Sequence, residues 1–256
     1  MKLPLFVTLL LATVIFHDTL TAQQSKTLSA AKTKPAAARA KEIGQTAIVI
    51  DETLSVLRVR PSLFSDSIQR MRRGRKVQIL GVAESDGVKF YRVTAPPANY
   101  GWVQADAVFG RFRGADEERL ARLAQASDGF DQIEIANEFF ALYPDSRFRP
   151  SILLLYGDLL EEVAAKLSKD ATSRLSRKEM AASAAPLHSY YLNFVSLDRY
   201  RKLGVIFLFN SAIRQFHYDG TSWKEIVAKF PASPEAVEAK KRLNSLKVKM
   251  EKPAAK

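Results

Sequence analysis

The sequence predicts a β-then-α chain: a small barrel of short strands over residues 46–110, followed by an all-α region over residues 115–246. Three observations predict it. Up to Phe109, β-branched runs of strand length are separated by Gly, Pro and Asp turn signals. After Gly114 the apolar period lengthens from two to about 3.6. The chain has no cysteine, so no disulfide framework can replace a core, and 256 residues at 47% hydrophobic content suffice for two cores.

Met1 to Ala22 reads as a secretory signal peptide. Lys2 gives a short positive start, Leu3 to Phe16 is apolar except for Pro4, Thr8 and Thr13, and small residues lead to a cleavage point after Ala22. A run of about 14 apolar residues falls short of the roughly 20 that a spanning helix needs, so no transmembrane segment is expected after cleavage. The mature chain is then expected outside the cytoplasm, periplasmic or extracellular. Without cysteine there is no lipobox and no lipid anchor of that kind. Residues 23–45 read as a flexible basic linker, with Lys26, Lys32, Lys34, Arg39 and Lys41 against Glu42 alone and few bulky apolar residues. Residues 247–256 read as a basic disordered tail.

The barrel strands follow in order. Ala47 to Ile50, Leu54 to Arg60 and Val77 to Val82 are β-branched-rich, and Phe90 to Val93 resumes the pattern after Asp86-Gly87, a hairpin signal. Pro61 and Gly74 punctuate the interval between the second and third runs, and Tyr100-Gly101-Trp102-Val103 closes the series. These motifs resemble the bacterial SH3-like domain. The correspondence runs through Leu57-Arg58-Val59-Arg60, the loop from Pro61 to Asp66, Arg73-Gly74-Arg75-Lys76-Val77, Tyr91-Arg92-Val93 and Gly101-Trp102-Val103. It covers about a quarter of the chain, and it departs from the family where Arg58 replaces the common Asn and in the longer loop from Ala95 to Asn99. The resemblance implies recognition of cell-wall peptide or of a protein strand.

The helical region opens with Asp116-Glu117-Glu118, acidic residues suited to a helix start, and an apolar stripe of Leu120, Leu123 and Ala124. A second stripe from Phe130 to Tyr143 stops at Pro144. A third helical pattern covers Ser146 to Lys169, and its polar continuation from Asp170 to Ala185 reads as a segment able to loop out; Tyr190 to Leu197 and Arg199 to Phe216 read as two more helices. Gly220-Thr221-Ser222 caps a helix from Trp223 to Phe230, which Pro231 ends. Two aromatic-Pro-x-Ser turns, Tyr143-Pro144-Asp145-Ser146 and Phe230-Pro231-Ala232-Ser233, resemble the helix junctions of tetratricopeptide-like repeats. In that family the Pro ends one helix and the Ser caps the next, and the implied role is to hold a protein partner.

No catalytic centre is predicted. His188 and His217 lack metal-ligand spacing and read as structural or surface histidines, and no nucleophile elbow, phosphate loop or dinucleotide fingerprint occurs. Glu161 and Glu162 are adjacent on a helix and read as a solvated face. No enzyme activity, cofactor or metal is expected. The formal net charge of +12 is more informative. Arg58, Arg60, Arg70, Arg72, Arg73, Arg75, Lys76 and Arg92 concentrate around one barrel loop and its strands, a distribution that draws anionic ligands. The candidate ligand-binding residues are Arg72, Arg73 and Arg75 for steering, and Phe64, Tyr91, Tyr100 and Trp102 for contact area. The expected partner is cell-wall peptidoglycan or an envelope protein; export argues against nucleic acid. Oligomeric state is not legible.

Overall fold

Period-two patterning in the first half of the chain produces seven short strands. The computed structural model describes residues 40–95, 99–175 and 185–251, which fall in one compact unit. The strands are β1 (Thr46–Val49), β2 (Val56–Arg58), β3 (Ser67–Arg70), β4 (Lys76–Ser85), β5 (Val88–Ala95), β6 (Asn99–Gln104) and β7 (Val108–Phe109). They form one curled antiparallel sheet in the order β3-β2-β6-β5-β4-β1-β7. The long strand β4 makes the curl possible. Its first three residues pair with β1 and Gln78 to Ser85 pair with β5, and a register shift between Ile79 and Gly81 bends it within the β5 pairing.

Strand β1 joins the halves of the molecule. After Thr46 the run Ala47-Ile48-Val49-Ile50 has no polar residue, so both of its faces need cover. Ala47 and Val49 enter the sheet's own core with Leu57, Ile79, Tyr91, Val93 and Val103. Ile48 and Ile50, with Phe109 of β7, enter the core of the helical region. The sequence divides the chain near residue 110, but the two sides of that division share a strand.

The helices are α1 (Asp116–Ala126), α2 (Gly129–Leu142), α3 (Arg149–Arg174), α4 (Leu187–Leu192), α5 (Asp198–Arg201), α6 (Thr221–Lys229) and α7 (Pro234–Glu251). Helix α3 is central and packs against α1, α2, α6 and α7. The contact with α6 is close because of Gly157: a Cβ there would lie 2.3 Å from the Trp223 indole nitrogen and 2.6 Å from the Ser222 hydroxyl. Both aromatic-Pro-x-Ser turns adopt one backbone pattern. The Ser146 and Ser233 N–H groups donate to the Tyr143 and Phe230 carbonyls, and the Ser carbonyls accept from Arg149 and Ala236. The Ser146 hydroxyl also accepts from the Phe148 N–H at 3.1 Å, one residue before α3, so the expected side-chain cap on that helix does not form, and the Ser233 hydroxyl has no partner among the described residues.

Three predicted features differ. The second region is not all-α: Arg199 to Phe216 was read as a helix, but it yields short α5 and then a hairpin of β8 (Phe207–Asn210) and β9 (Gln215–Tyr218). Gly204 ends the helical path, and Ile206 to Phe209 is the kind of short apolar run that suits a strand as well as a helix. Asn210 shapes the turn, its side-chain oxygen accepting from the Ala212 N–H at 3.0 Å, and its amide ties the hairpin to α7 through the Lys249 carbonyl. The predicted linker is structured at its C-terminal end. There the Gly44 N–H donates to the Ile79 carbonyl at 2.7 Å, and Glu42 accepts from Lys89 at 2.5 Å. That bond lowers the Glu42 pKa. The predicted disordered tail is helical through Glu251 in α7. The predicted signal peptide, linker residues 23–39 and tail residues 252–256 lie outside the described residues. Among the described residues no helix is long and apolar enough to cross a membrane.

Candidate functional site

The outward face of the sheet carries a cross-strand row built by register alone. Arg58 of β2 sits opposite Trp102 of β6, Trp102 opposite Arg92 of β5, and Arg92 opposite Gly81 of β4. Directly opposite residues share a face, so one tryptophan lies between two arginines. Gly81 adjoins the indole, whose Cη2 lies 4.0 Å from where a Cβ would stand on that strand, an ordinary contact distance. Tyr100, two residues before Trp102 and on the same face, is 59% exposed.

Phe64 borders this face on the loop between β2 and β3 and is 89% exposed. The loop is pinned rather than free. The Leu63 N–H donates to Asp86 at 2.8 Å, the Arg60 N–H donates to the Ser65 hydroxyl at 3.0 Å, and Arg58 donates to the Ser65 carbonyl at 2.7 Å. The Ser62 hydroxyl, with the Leu63 N–H, holds the Asp86 carboxyl below its usual range. Arg58 and Arg92 make no ion pair among the described residues, and the Arg58 Nε is buried without a partner there.

The other predicted site residues are placed elsewhere. Tyr91 is fully buried in the sheet core, edge-on to Phe112, so it supports the face from beneath and offers it no contact area. Arg72, Arg73 and Arg75 lie on the connection from β3 to β4, where the sheet meets α2. Arg73 is committed to that junction: it pairs with Glu134 at 2.7 Å and Asp131 at 3.4 Å, and its Nε donates to the Ile50 carbonyl at 3.0 Å. Arg72 is exposed, and Arg75 is half-buried with one guanidinium nitrogen lacking a partner. The structure therefore brings Tyr100 and Trp102 to one face of the sheet, puts Phe64 on the pinned loop after β2, and sets the steering arginines at the junction with the helices. Arg58 and Arg92 supply the cations beside the aromatics.

A second concave feature lies in the helical region. A groove of about 960 Å³ runs along α3, walled by the β8–β9 hairpin and α7. At its centre Glu161 accepts hydrogen bonds from Lys249 at 2.7 Å and the Tyr218 N–H at 2.9 Å, and pairs with the His217 Nδ1 at 3.0 Å. Burial is the largest single influence on this carboxyl and raises its pKa. The bonds from His217, Lys249 and Tyr218 together outweigh it and hold the pKa at about 2. Glu161 is thus not part of a solvated face, whereas Glu162 is exposed as the sequence suggests. His217 is a buried, bonded histidine. Its engagement could not be read from sequence, because Glu161 lies 56 positions away. No group of three or more His, Cys, Asp or Glu among the described residues could hold a metal ion.

No family model, curated protein or solved structure matches this chain.

Proposed function

We propose that the chain is an exported, non-catalytic binding protein of the cell envelope, with an SH3-like sheet that recognises wall peptide or an extended protein strand and a tetratricopeptide-like helical half that holds a protein partner. The observation that carries this reading is the Arg58–Trp102–Arg92 row, unpaired with any acid among the described residues, with exposed Tyr100 on the same face and the pinned Phe64 loop after β2. Aromatic surface gives contact area to an extended backbone, and flanking cations favour a ligand carrying carboxylates, as wall stem peptides do. The five SH3-like motifs all fall on strands or connections of the one curled sheet, and the two Pro-Ser turns share a backbone pattern, which supports the two halves of the reading.

The test is co-sedimentation of the full chain with purified peptidoglycan across a salt series, beside glycan stripped of its stem peptides. Retention above physiological salt on intact wall, lost on stripped glycan, is expected. Tyr100→Ala and Phe64→Ser, both at exposed positions, should each weaken retention by about threefold to tenfold while leaving the circular dichroism unchanged. Equal retention of these variants, or binding that vanishes as the Debye length shortens, would leave only general charge attraction.

A further inference from the structure

The α3 groove contains acceptors and donors that the fold does not use, spaced along one helix face. Near its middle is His217, 4% exposed, whose Nε2 has no partner among the described residues. The Glu161 carboxylate engages the ring at Nδ1, 3.0 Å away, so Nε2 is the ring nitrogen that the fold leaves unused. Beside it, Glu162 makes no ion pair or hydrogen bond among the described residues. Farther along the same face, Lys169 of α3 and Arg214 of the hairpin turn line the groove and are likewise without an acidic partner. The remaining charges in the groove are already matched: Asp158 holds Arg242 through both oxygens, and Glu161 holds Lys249.

Glu162 and Lys169 are seven residues apart, which places them about 10 Å apart along the helix axis. An extended tripeptide with free termini separates its ammonium from its carboxylate by about the same distance, at roughly 3.3 Å per residue. We infer that this groove is a binding site for short peptides with free termini. The ammonium donates to Glu162, close to the His217 ring, and the carboxylate is received by Lys169 and Arg214. This deepens the reading of the helical half as the holder of a peptide-bearing partner, and it is independent of the sheet face.

The hairpin supplies a variant that is safe for the fold. Arg214 has a φ of +54°, a conformation that glycine adopts without strain, so Arg214→Gly removes the cation and relaxes the turn. Lys169→Ala lies on an exposed helical position. The experiment is calorimetric titration of the full chain with trialanine, alongside N-acetyl-trialanine amide. It is followed by the ring nitrogen resonances of histidine-labelled protein, with His217→Gln identifying the signal. Saturable binding of trialanine that shifts the His217 Nε2 resonance is expected, with Arg214→Gly and Lys169→Ala each weakening it about tenfold and the capped peptide failing to bind. No saturable response to trialanine, equal binding of the capped peptide, or unchanged affinity in both variants overturns the inference. Trialanine binding that persists while peptidoglycan retention is absent overturns the sheet-face reading alone, and the converse overturns the groove alone.

Discussion

At the scale of single residues, two positions in α3 make demands that composition does not reveal. Gly157 sits mid-helix, where alanine would ordinarily stabilise by about 1 kcal/mol. Here its Cβ would meet the Trp223 indole and the Ser222 hydroxyl, both buried, so the helices must separate or the indole must move. Gly157→Ala is therefore expected to lose about 2 kcal/mol by overpacking, read as a lower urea midpoint. A variant as stable as its parent would mean that the close approach of α3 and α6 is not a constraint. Glu161 makes the complementary demand. Its carboxyl titrates near 2 in the fold against an ordinary 4.5, with burial opposing ionisation and the His217, Lys249 and Tyr218 bonds prevailing. A depressed carboxyl contributes stability that is present above pH 4.5 and is lost as pH falls towards 2. Glu161→Gln should trail the parent by roughly 2 kcal/mol at pH 6, after allowance for screening at a partly exposed site, with the gap closing across that window. A gap that stays constant from pH 6 to pH 2 would assign the loss to packing instead.

At the scale of elements, the sheet was legible because its strands are local and their punctuation is chemical. Asp86-Gly87 sits at the turn between β4 and β5, both residues with positive φ, as a two-residue hairpin requires. The helical stripes ending at Pro144 and Pro231 were legible for the same reason. The β8–β9 hairpin was not, because Ile206 to Phe209 offers four apolar residues that fit either period, and packing of Phe209 and Phe216 against Tyr191 decides the matter. Site residues divide along the same line. Phe64 was legible as a loop aromatic, whereas Tyr100, which the sequence places in a loop, lies in β6, and Trp102, for which core is the simpler expectation, is half-exposed on that strand. The fate of Arg73 depends on Asp131 and Glu134, which are distant in sequence and reach it only once α2 lies across the junction. Charge density in the sequence could show that arginines gather there, but it could not show that one of them is neutralised by the helical half.

At the scale of the whole molecule, β1 decides how the halves behave. An excised fragment of residues 45–111 would expose Ile48, Ile50 and Phe109, which the helical core buries, and would strand the Arg73 guanidinium without its acids. Each such aliphatic side chain contributes about 1.5–3 kcal/mol by burial, a large share of the net stability of a small domain. The two halves should consequently unfold together. The chain's two tryptophans make this measurable, since Trp102 lies in the sheet and Trp223 in α6. In a Trp223→Phe variant, fluorescence reports the sheet alone while far-ultraviolet circular dichroism is dominated by the helices. Coincident urea midpoints for the two signals are expected, as a single cooperative transition requires. Midpoints that separate, with the sheet persisting after the helices have melted, would show that Ile48 and Ile50 do not couple the two cores and that the sheet stands on its own interior.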